Sequence, residues 1–425
     1  MSNKVSDKTN LVVAFSLPVK IGVFGLAGIL RLFSAFYLAP FLFNSREFVT
    51  PWNSFKRIQE AVYLLSVGID AHEGDLFHLM PMYIYIFRIL THEFWLCFIV
   101  YTLCDLITGY CLKRFAFNYL VSIQGAHSNY AEHFSDIVAV LYLFNPMTIG
   151  SCSVFSLSSI ANFLLAIFAN LVIRKHVCLS TILLIFISSI YPYYFILLAV
   201  LFLAFPSVIQ RTTVVIVTLF TILALFFINQ SLNSTSSFFQ NTFGFFMAVP
   251  DLTPNVGAFW YFFVQIFDHY REFFRWIFQL NMLIYIVPLS VTLRKDPYVT
   301  MLLLLIQISM FSSYPSYAEA VVYLALIPAF SHLHQHIRHK LIIFGCFCAT
   351  LVLTPIMWRL WVVTGSGNAN FYFAINFVYT IAQVFLMSDL MHSYLRNQLV
   401  EKCREKGIAD INEKTKKFSL EFRPF

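Results

Sequence analysis

Charge is what this 425-residue chain has least of: Asp, Glu, Lys and Arg together make up 12%, about half the share of an ordinary soluble domain. With 59% of the residues apolar, a cytosolic globule is excluded, because no soluble surface could cover that much apolar area. Glycine is scarce, at 14 residues, and no Gly-rich loop of the kind that cradles phosphates occurs. The eight cysteines have neither the paired spacing of a disulfide framework nor that of a zinc site. Cys97, Cys104, Cys111, Cys346 and Cys348 lie in apolar runs, where thiols serve as small packing residues. Phenylalanine is what the chain has in excess, with 49 residues in an aromatic share of 18%.

At about 20 residues per span, about twelve membrane helices use a little over half of a chain this long. Long charge-free runs, divided by short basic clusters, place them near 19–42, 94–112, 137–152, 159–173, 177–190, 192–206, 213–228, 273–293, 298–312, 317–330, 341–363 and 371–391. The sequence therefore reads as an all-α polytopic membrane protein, with a multispan domain over 1–395 and a cytosolic tail over 396–425. The apolar stretch after MSNKVSDKTN is too long for a cleaved signal, so Leu11–Phe43 holds a retained first helix. Lys113-Arg114, Arg174-Lys175, Arg211, Arg294-Lys295, Arg338, Lys340, the tail and three N-terminal lysines account for twenty of 28 basic residues. Put on one side, they make it the cytosolic side, which places both termini there. The excess of 28 basic over 21 acidic residues is then a topology signal, and it implies no nucleic-acid partner. Arg31, Arg359, Glu319 and Asp389 fall in or beside apolar sequence, where a charge must face protein, water or a headgroup.

This threading leaves lumenal segments near 44–79, 229–271, 312–316 and 365–371. Ser54–Gly68 is amphipathic, with Ile58, Val62 and Leu65 opposite Lys56, Arg57, Gln59 and Glu60, which suits a helix lying in the membrane interface. Met80–Leu90 is too short to cross and reads as a re-entrant or half-depth element. Asp70, His72, Glu73, Asp75 and His78 have metal-ligand chemistry, but their spacing is unspecific and reads as a solvated loop re-entering the membrane at Met80-Pro81. The histidines at 332, 334, 336 and 339 read as cytosolic polarity at a helix junction. No Ser or Cys sits in a frame with a base that could activate it. Asn229-Gln-Ser and Asn233-Ser-Thr are glycosylation sequons on the lumenal side.

Two segments combine polarity with aromatic rings. In VPDLTPNVGAFWYFF, Pro250 and Pro254 stiffen the chain and Asp251 and Asn255 offer polar groups. The Phe259–Phe263 run that follows belongs at a membrane interface. In GSGNANF, Gly365 and Gly367 allow close backbone approach, and Asn368 and Asn370 present neutral donors and acceptors. Each segment suits a lipid with a polar head, and each is equally compatible with an ordinary interfacial turn.

From VPDLTPNVGAFWYFFVQIFDHY outward the sequence resembles the PIG-U family, multispan subunits of the glycosylphosphatidylinositol (GPI) transamidase complex of the endoplasmic reticulum. NSFKRIQEAVYLLSVGID, LFHLMPMYIYIF, LYLFNPMTIGSC, SSIYP, SSYPSYAEAVVYLALIP, WRLWVVTGSGNANFYFAI and SDLMHSYLR carry the resemblance in order along the chain. The family is similar to GT-C mannosyltransferases, which implies a GT-C-like helical fold. Those enzymes keep an acidic pair in the first lumenal loop, whereas 44–57 holds only Glu47, and Glu73-Gly-Asp75 comes later. At His72 and Leu79 the chain departs from its relatives' pattern. The resemblance implies a non-catalytic subunit without a cofactor or metal, which recognises GPI and scaffolds the complex in the endoplasmic reticulum membrane. It also implies a caspase-like partner whose Cys–His dyad performs the transfer. Asp251, Pro254, Asn255, Phe259 and Trp260 are expected to border the GPI-facing cavity, with Asn368 and Asn370 near the headgroup. The alternatives are an active dolichol-phosphate-sugar-dependent mannosyltransferase of GT-C type, and a lipid transporter or flippase.

Overall fold

A computed structural model describes residues 14–74, 76–124, 128–232 and 238–405. Every described element is helical, and each of the twelve expected crossings lands on a helix. The breaks fall where local chemistry places them. Asn145 caps the helix Pro146–Ser153, its side chain accepting from the Met147 N–H at 3.0 Å, and Pro146 cannot continue the helix before it. The pair on either side of this break bends by 46°. Asp296 does the same for Pro297–Phe311, accepting from the N–H groups of Tyr298 and Val299. Ser316 and Glu319 form a capping box that opens Tyr317–Leu326. At the end of Phe55–Val67, Gly68 takes φ +85°, the left-handed turn that closes a helix without a Cβ penalty.

Helix length gives fewer crossings than twelve. Among the described residues, six helices are long and apolar enough to span: Leu17–Tyr37, Phe94–Ile123, Val208–Leu232, Asp268–Thr292, Lys340–Val363 and Ala369–Cys403. The bent pair makes up to seven. Leu157–Ile173, Val177–Ile190, Pro192–Ala204 and Pro297–Phe311 are apolar but have only 10–17 residues. At ~1.5 Å per residue they fall short of a ~30 Å hydrocarbon layer. Pro81–His92, expected to be half-depth, is a 12-residue helix packed on Phe55–Val67.

Pro297–Phe311 is the hub. Every residue from Val299 to Ser309 is buried, as an all-round apolar helix must be. Asp268–Thr292 lies at the periphery, with 11% of its apolar window buried; Phe273, Trp276, Leu280 and Ile284 point outward.

Arg31, in the middle of the first span, is fully buried and pairs with Asp105 at 2.5 Å, with Tyr142 donating to the same carboxylate at 2.6 Å. Its Nη1 donates to the carbonyls of Ala27 and Leu143. Asp105 is an intramembrane acid that the apolar-run reading passed over. Asp389 caps from a distance, accepting from the N–H groups of Arg338 and His339 at the start of Lys340–Trp358. Arg359 is exposed at a helix end.

One expectation changes at the residue level. Asn229 is fully buried inside Val208–Leu232, where its amide accepts from the Met82 N–H and donates to the Leu225 carbonyl. It is therefore not an accessible glycosylation acceptor, and Asn233 lies outside the described residues. The final helix, Ala369–Glu405, runs continuously through residue 396.

Candidate functional site

The four segments that the sequence places on one side gather at one end of the bundle. Arg57 reaches Asp251, its Nη2 3.0 Å from Oδ2. Trp52 donates from Nε1 to the Tyr314 carbonyl at 3.2 Å while stacking on Tyr191 at 4.2 Å. The Tyr317 N–H donates to the Glu47 carbonyl at 3.0 Å. Tyr261 donates from its hydroxyl to Asn370 Oδ1 at 2.8 Å. The two polar-aromatic segments, 109 residues apart, thus meet directly.

Asp251 is partly exposed and held from three sides: Arg57, the Thr253 N–H into Oδ1 at 3.0 Å, and the Tyr314 hydroxyl, which accepts from the Asp251 N–H at 3.3 Å. Burial works to raise its pKa, but the bonds from Thr253 and Arg57, with the Arg57 charge, outweigh it and hold the carboxyl below the usual range. His78 lies beside this pair, with Nε2 3.5 Å from Arg57 Nη1 and Nδ1 3.1 Å from the Asn241 carbonyl. Its ring stacks on Phe245 at 3.5 Å, and Phe245 stacks on Tyr314 at 4.9 Å. Burial pushes the imidazole down to about 4, so at neutral pH it is uncharged, with Nδ1–H donating to Asn241 and Nε2 turned to Arg57.

Asn255 is 3% exposed and committed to the scaffold. Its Oδ1 accepts from the Gly257 N–H at 2.8 Å, its Nδ2 donates to the Ser313 carbonyl, and its own carbonyl receives Trp260 Nε1 and Asn376 Nδ2. Gly257 passes so close to Pro315 that a Cβ would sit 2.6 Å from Cγ. Phe259 and Trp260 are buried, the first stacked on Phe263, the second in a ring cluster with Trp361 and Tyr372. Pro254 is half-buried.

Asn368 and Asn370 are exposed. Asn368 caps the last helix, accepting from the N–H groups of Asn370 and Phe371. Asn370 takes the Tyr261 hydroxyl on its oxygen, which leaves its NH₂ group turned to solvent as a donor. Tyr261 stacks on Phe373 at 3.9 Å. Of the metal-type cluster, His72 and His78 bond to different backbone carbonyls, those of Leu79 and Asn241; Glu73 is exposed, and Asp75 lies outside the described residues.

Sequence reasoning placed Lys56 and Arg57 only on the polar face of an interfacial helix and gave Arg46 no role. Arg46 lies 5.6 Å over Trp358, Lys56 donates to Asn44 Oδ1 at 3.0 Å, and both line one cavity with Arg57. The available signal was a first loop segment with three cations against one acid, Glu47. Chemically, this end offers neutral amides, hydroxyls, ring faces and cations, which together bind sugars and phosphates by hydrogen bonding and stacking.

The fold and this end define a polytopic helical membrane protein whose loops converge on one polar, aromatic-walled site. Comparison with known proteins narrows the class: the family model for GPI transamidase subunit PIG-U matches residues 25–379, and the chain belongs to that family. It is 32% identical over 397 residues to the GPI-anchor transamidase component PIGU of Cricetulus griseus, covering 85% of this chain and 90% of that one. The Homo sapiens protein of the same name is 31% identical over the same length and shares. GPI transamidase component GAB1 of Saccharomyces cerevisiae is 30% identical over 356 residues, 83% of this chain and 88% of that protein.

Proposed function

We propose that this chain is a non-catalytic subunit of a GPI transamidase in the endoplasmic reticulum membrane, with both termini cytosolic. On this reading it receives the GPI lipid at the gathered end of the bundle, orients its headgroup and scaffolds the membrane part of the complex. A neighbouring subunit with a Cys–His dyad makes and breaks the covalent bonds. The observation that carries this reading is the Tyr261–Asn370 bond, which joins the two polar-aromatic segments and leaves exposed amides above a wall of rings.

Retention is not the difficulty. Each buried methylene contributes about 0.8 kcal/mol, so acyl chains already hold a GPI in any bilayer. A subunit adds orientation, keeping the terminal amine beside the acyl-enzyme so that aminolysis outruns hydrolysis. Neutral asparagines and ring faces can do this without chemistry of their own. Glu47, the one acid in the stretch where GT-C enzymes keep theirs, is 2% exposed, and burial lifts its carboxyl to about 7. A proton acceptor must reach the acceptor hydroxyl, so its burial weighs for the non-catalytic reading over a mannosyltransferase.

The test replaces the endogenous subunit in cells with Asn368→Ala/Asn370→Ala or Tyr261→Phe and measures surface levels of GPI-anchored reporters alongside co-purification of the complex. The expected result is an assembled complex with anchor attachment reduced several-fold. Unchanged reporter levels in both variants would remove these residues from the site.

A further inference from the structure

A cavity of about 270 Å³ opens in the segment that follows the first span, lined by Ser45, Arg46, Thr50, Ser54, Lys56 and Arg57 among others. Its charge is uncompensated. Arg57 is paired with Asp251, but Arg46 and Lys56 have no carboxylate within 4 Å among the described residues. Glu47, which follows Arg46 in sequence, does not line the cavity.

Two features favour an anion as its occupant. Thr50 is 3% exposed, and its Oγ1 has no partner among the described residues; the same holds for Ser45 Oγ and Arg46 Nε. Buried donors are ordinarily satisfied, and these three belong to residues that line one cationic cavity. The second feature is the start of Phe55–Val67. Its N-cap Ser54 makes no side-chain capping bond, and its first turn holds no acid but Lys56 and Arg57. Cations on the positive end of a helix dipole repel it, an arrangement that an anion placed before the free N–H groups of the first turn reverses.

We infer that this cavity binds the phosphodiester of an anionic membrane-lipid headgroup. The depth fits, because the segment leaves the first span directly and Lys56 lies over the ring of Phe43, two residues after the exposed Phe41. Charge selects an anionic head over a zwitterionic one, whose own cation would compete with Arg46 and Lys56. The inference goes beyond the proposed function: its readout is binding, and it stands or falls separately from anchor attachment.

The full-length chain, purified in dodecyl maltoside, is heated in plain micelles, in micelles doped with phosphatidylinositol or phosphatidylcholine, and with inorganic phosphate. Phosphatidylinositol is expected to raise the melting temperature beyond phosphatidylcholine, with an effect that weakens as salt rises. Lys56→Glu, at an exposed position that tests the site without disturbing the core, is expected to lower apparent lipid affinity by about tenfold or more; Arg46→Gln is the second variant. Equal protection by inorganic phosphate would overturn the lipid assignment. Absence of protection by either, or protection that both variants retain, would overturn the site.

Discussion

Arg57 and Asp251, 194 residues apart in the chain, hold their guanidinium and carboxylate 3.0 Å from each other. The bond joins an interface-type helix to the loop before the aromatic run, and so fixes the relative position of two segments that local sequence leaves independent. Both side chains are about one-fifth exposed, so the pair is screened only in part. Arg57→Ala and Asp251→Ala should each lower stability by about 1–2 kcal/mol, with a coupling energy near ~1 kcal/mol in a double-mutant cycle. Additive losses in chemical or thermal unfolding would show that the pair does not act as a unit.

Gly257→Ala should be the most damaging small substitution at this end. The new methyl would meet Pro315 at 2.6 Å and Asn255 Oδ1 at 3.1 Å, so either the 312–316 turn or the asparagine hub must shift. Overpacking of this kind costs about 1–3 kcal/mol. Reduced melting temperature and weaker co-purification of partner subunits are expected, while Gly345→Ala, where a Cβ meets nothing within 4 Å, should be tolerated.

Opposed pH dependences are built into the same end. The Glu47 carboxyl is lifted from 4.5 to about 7, so the folded chain binds the extra proton in that window; stability is full below pH 4.5 and falls as pH rises through about 7. His78 is lowered from 6.5 to about 4, so the unfolded chain binds the extra proton; stability is lost as pH falls between 6.5 and 4. Each effect is of order 3 kcal/mol, and between pH 4.5 and 6.5 they offset one another. Unfolding of Glu47→Gln should become steeper toward acid in that window, and His78→Gln should gain stability as pH falls. Parallel profiles for wild type and both variants would refute the assignment.

Asn229 should carry no glycan despite its sequon, because both ends of its amide are spent inside the protein. Asn229→Gln should leave electrophoretic mobility unchanged before and after glycosidase treatment. Asn229→Ala should cost about 1–2 kcal/mol, since it leaves the partly buried Met82 N–H without its acceptor. A mobility shift would show that this segment does not fold as described.

The sequence by itself determined the fold class and where nearly every helix lies. Apolar runs are continuous, and the residues that end them act within a few positions: Asn145 and Asp296 as caps, Pro146 and Pro297 as first-turn residues, Gly68 as a left-handed stop. It also marked Asp251, Asn255, Asn368 and Asn370 as polar groups worth watching. Only the tertiary structure decided what each one does: Asn255 is a buried hub, Asn368 a helix cap, and Asn370 the partner of Tyr261. Arg31 found Asp105 across 74 residues, and Arg46, Lys56 and Thr50 came to share a cavity that spacing does not reveal. The physical reason is that a cap or a break is a property of neighbouring backbone groups. Whether a polar side chain meets water, lipid or a distant partner depends on which helices pack beside it.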